Sequence, residues 1–169
     1  MKKILLTALL MGLSSLAVAG PWDEYRDARN AAKADLMALE SGTAYHGKIE
    51  ETEAKFVTAA VMAEAVKRPD IQAWQIQNAG YAYILYFKSV TSWDKANADI
   101  MALAPKSPER KEAVKQLQSA AQGNMELLDK ASALLDQAAT LSAQEDLTKV
   151  IESNRGFIEA VKALVAKSL

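Results

Sequence analysis

Apolar residues recur at helical spacing along almost the whole chain, and no run of alternating apolar residues bounded by turns interrupts them. This pattern predicts an all-α fold of about six helices in a single domain over residues 20–169. The first helix follows Gly20-Pro21, carries Asp23 and Glu24 in its first turn, and ends near Ser41-Gly42. The second runs from about Gly47 to Arg68, with Ile49, Phe56, Val57, Ala60, Val61 and Ala65 on its apolar side, and Pro69 stops it. A third opens with Asp70 as N-cap and reaches about Lys88; a short fourth starts at Thr91 or Ser92 and ends before Pro105. Ser107-Pro108-Glu109 opens a long fifth helix to about Thr140, in which Gly123-Asn124 marks the place for a kink or break. Ser142 and Glu145 have the spacing of a capping box for the sixth, whose apolar residues recur from Leu147 through Ile151 and Ile158 to Val165. Asn154 falls on that same stripe, where a polar residue with its hydrogen bonds satisfied is expected.

The third helix differs from the others. Between Asp70 and Lys88 it has no charged residue, and at 100° per residue its large apolar side chains form two stripes. Trp74, Tyr81 and Leu85 lie on one; Ile76, Tyr83 and Phe87 lie roughly opposite. A helix apolar on both sides must be covered on both, by its own domain or by something the protein binds. One aromatic stripe is therefore a candidate groove, with Gln72, Gln75, Gln77 and Asn78 supplying neutral hydrogen bonds at its edge. The candidate partner-binding residues are Trp74, Gln77, Asn78, Tyr81, Tyr83, Tyr86, Phe87 and Trp93.

The run Asn78-Ala79-Gly80-Tyr81-Ala82-Tyr83 resembles the first helix of a tetratricopeptide repeat, in which a Gly is followed three residues later by Tyr. Trp93-Asp94-Lys95-Ala96 is similar to the opening of that repeat's second helix, and Pro105 to its closing proline. Pro69 and Pro105 are 36 residues apart, near the repeat's period of about 34. The resemblance covers about 40 residues, one repeat, and Trp74 stands two positions before the pattern's Trp, where Ile76 lies. It implies stacked antiparallel hairpins in a right-handed array, with a concave face lined by the third helix and a role in protein or peptide binding. A compact helical bundle is the competing arrangement.

The first twenty residues bear on location. Lys2 and Lys3, an apolar run from Ile4 to Leu16 and the ending Ala17-Val18-Ala19 read as a signal peptide over residues 1–19, cleaved near Ala19. The apolar run, about 13 residues, is short of the roughly 20 that span a bilayer. No Cys follows it, which closes the lipid-attachment route, so the expected location is periplasmic or secreted with no integral membrane segment left. Loss of Lys2 and Lys3 takes 20 basic residues to 18 against 21 acids, a net charge near −3. That balance, with charges scattered, excludes the basic footprint of a nucleic-acid binder. The absence of Cys leaves stability to packing rather than disulfides.

Chemistry-bearing motifs are sparse. His46 is the only histidine, so neither a His/Cys metal site nor a Ser-His-Asp triad can be assembled around a second ligand or a G-x-S-x-G turn. Glu50 and Glu53 are helix neighbours on a face that also holds Lys48 and Thr52, the pattern of a solvated surface rather than a carboxylate pair. Met37, Met62, Met101 and Met125 are dispersed and do not form a soft-metal cluster. The residues thus imply no cofactor, no metal and no catalytic centre. They point to an exported interaction module that binds an extracytoplasmic protein or peptide through the third helix. The alternative is a small-molecule or lipid carrier with a cavity beside Trp74 and Tyr81.

Overall fold

Proline and capping chemistry set most helix boundaries in the computed structural model, which describes residues 20–42 and 45–167; residues 1–19, read from sequence as a signal peptide, lie outside the described residues. Pro21 starts α1 (Pro21–Ser41), where the Asp23 carboxylate accepts the Gly20 N–H at 3.3 Å. Gly42 ends it at φ 64°, a left-handed conformation natural to glycine, and its N–H donates to the Leu39 carbonyl. Helix α2 spans Ile49–Ala65, shorter at both ends than the hydrophobic pattern predicts. Lys67 adopts φ 56° and Arg68 a non-helical backbone at φ −118° and ψ 77°, outside the α region that a following proline disfavours. Pro69 then sits in the first turn of α3 (Pro69–Val90), so Arg68, not Asp70, is the N-cap. The Arg68 guanidinium donates to both Asp70 carboxylate oxygens, at 2.8 and 2.5 Å, and holds that carboxyl down to about 2.

Helix α4 is short, Trp93–Ala102. The expected long fifth helix is two helices, α5 (Pro108–Gln122) and α6 (Met125–Leu141), which brings the described residues to seven helices with no strand. The break falls at Gly123-Asn124, where the Asn124 side-chain amide donates to the Ala120 carbonyl at 2.9 Å, a bond that competes with continuation of the helix. The last helix, α7, spans Glu145–Ala166 with Gln144 as N-cap. The capping box does not form: Ser142 lies two residues too early, and its hydroxyl accepts the Gln144 N–H at 3.3 Å.

Ser107 does cap α5, accepting the Arg110 N–H at 3.1 Å. Ser107→Ala is expected to lower unfolding stability by about 1 kcal/mol, while Ser107→Gly costs only a few tenths, about 0.3 kcal/mol. Urea titration of the two variants against the parent checks this, and equal midpoints for all three would remove the cap from the account.

Helix α3 is the hub. It packs most extensively on α6 and α2 and also touches α1, α4 and α7. Ala73, Ala79, Gly80 and Ala82 are buried and let backbones come close. A Cβ on Gly80 would stand 3.2 Å from the Ala131 carbonyl oxygen and 3.3 Å from the Leu135 side chain, so glycine allows the α3–α6 approach. Around the hub, Phe56, Leu128, Leu135, Leu147, Ile158 and Val161 form the fully buried core. Helix α2 buries a narrower stripe than its apolar positions suggest: Ile49, Phe56 and small residues face inward, while Val57 and Val61 are exposed. Its Thr52 is wholly buried, hydrogen-bonded to Tyr45 at 2.8 Å and Asp35 at 3.1 Å, so of the face read as solvated Lys48 and Glu50 are exposed, Glu53 is half-buried and Thr52 turns inward.

Candidate functional site

The two stripes of α3 meet different fates. Ile76, Tyr83 and Phe87, at 3%, 0% and 0% exposure, are sealed in the core. Trp74, Tyr81 and Leu85 are only partly buried and lie along a groove on the other side.

One section of this groove is a cavity of about 340 Å³, open to solvent, between α1, α3 and α7. Its floor is Trp74, Asn78 and Tyr81, with Gln77 beside them; Leu36 and Glu40 form the α1 wall. Val150, Ser153 and Asn154 form the α7 wall. A second section of about 700 Å³ continues toward the C-terminal end of α3, past Leu85 and Lys88, to Ser92, Asp94 and Lys95 at the start of α4. The sections adjoin at Glu40 and Tyr81, which line both.

Helical periodicity explains the floor: residues 74, 78, 81, 85 and 88 are three or four apart and share one face. No charge lies on that face before Lys88. Lys88 is held by Asp94 at 3.4 Å and sits 5.0 Å from the Phe157 ring centroid; Lys95 pairs with Asp99 at 2.7 Å. Burial raises the Tyr81 phenol above its ordinary value, with the Glu40 and Asp94 charges adding to it, so this tyrosine stays a neutral donor across the physiological range.

Asn154 stands out among the lining groups. Its Nδ2 is buried without a hydrogen-bond partner, contrary to the satisfied amide that its place on the stripe suggests. A buried donor left unmade costs about 1–3 kcal/mol. The donor itself is covered in the free protein, so an acceptor entering the groove would reach it only through a turn of the half-buried Asn154 side chain.

Of the eight residues singled out from sequence, Trp74, Gln77, Asn78 and Tyr81 come together here. The other four lie elsewhere. Tyr83 is a core residue that donates to Glu53 at 2.6 Å. Phe87 and Trp93 build an aromatic cluster with Phe157, ring centroids 5.7 to 6.2 Å apart. Tyr86 packs edge-on against Tyr45, centroids 6.0 Å apart. Gln72 and Gln75 also turn away from the groove, Gln72 toward Glu64 and the buried Gln75 toward the Tyr25 hydroxyl. The walls from α1 and α7 were not legible as site residues, because their placement depends on which helices pack beside α3; Asn154 alone carried a signal, as a polar residue on an apolar stripe.

His46 is exposed in the α1–α2 connection, and Glu50 lies 3.7 Å from Lys130. Among the described residues no group of three or more His, Cys, Asp or Glu side chains is placed to hold a metal ion. No described helix is long and apolar enough to cross a membrane. Compared with known proteins, the chain matches no family model, no curated protein and no solved structure. The groove's own side chains offer aromatic faces, neutral amides and an indole and phenol with polar tips, beside the charged Glu40, Lys88, Asp94 and Lys95.

Proposed function

We propose that this chain is an exported, non-catalytic binding module that holds a peptide segment of an extracytoplasmic protein in the groove along α3. The α3–α4 pair serves in this reading as a tetratricopeptide-like hairpin whose first helix faces the partner. The observation that carries the proposal is the unequal burial of α3: one stripe is sealed, and the other floors a groove with an unpartnered amide in its wall. Both sections are open along the helix, which suits a linear segment better than the enclosed cavity expected of a lipid carrier.

The test is selection of peptides from a displayed random library on the immobilised protein, followed by affinity measurement in solution. Tyr81→Ala is expected to weaken the selected peptides by about tenfold or more, as loss of an aromatic anchor does. Thermal unfolding run in parallel confirms that the fold is kept. Failure to enrich any peptide, or binding indifferent to Tyr81, overturns the proposal.

A further inference from the structure

We infer that the segment held in the groove is a proline-containing, left-handed extended (polyproline II) stretch carrying a basic side chain; this rests on the binding reading above and names its ligand. Four observations lead there.

The first is spacing. Trp74 and Tyr81 are two helical turns apart, about 10.5 Å along the axis at 1.5 Å per residue. Three residues of a polyproline II segment advance about 9.3 Å, so prolines three apart can each lie on one of the two rings. An aromatic-lined groove is the usual receptor for such a segment, whose preformed shape loses little entropy on binding.

The second is hydrogen-bond polarity. The orphan in the groove wall, Asn154 Nδ2, is a donor covered in the free protein, which a turn of the half-buried side chain would bring to a ligand. An α-helical ligand has spent its carbonyls on its own backbone and leaves that donor orphaned. A polyproline II segment keeps every carbonyl free, and its prolines bring no N–H that would need an acceptor.

Charge is the third. Lys88 and Lys95 are already paired with Asp94 and Asp99, whereas Glu40, at the junction of the two sections, makes no ion pair among the described residues. The groove therefore has one carboxylate to offer, and it complements a ligand Arg or Lys just beyond the proline resting on Tyr81.

Length agrees. From Trp74 to Lys88 the floor runs about 21 Å, which about seven residues of polyproline II would span.

The experiment uses fluorescence anisotropy with the full mature chain. The probe is a fluorescein-labelled peptide, Ala-Pro-Pro-Ala-Pro-Pro-Arg-Ala, together with its reversed sequence, since such segments dock in either direction. Controls replace every Pro by Ala, or Arg by Glu. Saturable binding of one proline probe is expected, with at least about tenfold loss for the proline-free control. Asn154→Leu, of similar size and with no donor, should weaken binding about tenfold or more while leaving the fold as stable as before or more so. Glu40→Lys should weaken the Arg probe about twofold to fivefold and strengthen the Glu probe.

Binding of the proline-free control as tightly as the proline probe, or an Asn154→Leu protein that binds normally, overturns the inference. If library peptides that depend on Tyr81 prove to lack proline, this inference fails and the groove reading stands. If no peptide of either kind binds, both fall.

Discussion

Phe87→Ala is expected to lower the unfolding free energy by about 3–5 kcal/mol. The side chain is fully buried at the C-terminal end of α3, its ring 5.7 Å from Trp93 and 6.2 Å from Phe157. Those two rings belong to α4 and α7 and lie 5.7 Å from each other, so Phe87 is where three helices meet. Removing it takes away apolar area and leaves a cavity that three packed helices can only partly close. A domain of this size has about 5–15 kcal/mol of stability in total, so a large fraction goes with one ring. Urea unfolding followed by far-UV circular dichroism measures the loss. Val61→Ala, on the exposed face of α2, supplies the reference, expected within about 0.5 kcal/mol of the parent. A Phe87→Ala loss below that of Val61→Ala would mean that the three-helix junction does not anchor the fold. The same result decides how the groove is probed: Phe87 and Tyr83 report on folding, and only the opposite stripe reports on binding.

That division between stripes was half legible in the sequence. The absence of charge from residue 71 to residue 87 and the two apolar stripes identify α3 as a helix that needs cover on both sides. Periodicity is a property of one helix and carries no information on which neighbour lies where. The decision was made by small residues: Ala79, Gly80 and Ala82 let α6 close on the Tyr83 side, where Gly80 approaches the Ala131 carbonyl. On the Trp74 side, α1 and α7 stand on either flank and leave the floor partly open. Local chemistry was read more reliably. Pro21 and Pro108 each occupy a first helical turn, and Gly42 ends α1, because these are effects within a few residues, whereas Pro69, read as a stop ahead of an Asp70 cap, itself opens α3. Misreadings arose where two local signals compete, as at Ser142, whose side chain reaches Gln144 instead of capping across to Glu145.

The buried phenol on the sealed side should give the protein a distinct alkaline instability. An unfolded tyrosine ionises near 10. Burial pushes Tyr83 above that value, and its hydrogen bond to Glu53 and the charges of Glu53 and Glu50 push it further. Between the two values the unfolded chain sheds a proton that the folded chain keeps. The contribution of Tyr83 is thus fully present below about pH 10 and is lost as pH climbs toward the folded value, by at most about 1.4 kcal/mol per pH unit. Tyr25, Tyr45 and Tyr81 are raised in the same direction, chiefly by burial, so the wild-type slope sums several groups. Tyr83→Phe separates them. Near neutral pH it should cost about 1–2 kcal/mol, the lower part of the range for a hydrogen bond to a carboxylate, because the half-buried Glu53 can turn to water. Above about pH 10 the variant should lose stability more slowly than the parent, so the two curves converge and then cross if the folded value is reached. Urea midpoints taken from neutral to alkaline pH read both effects from one pair of proteins. Parallel curves would show that the Tyr83 proton is not held by the folded core, and the sealed stripe would then be wetter than its burial implies.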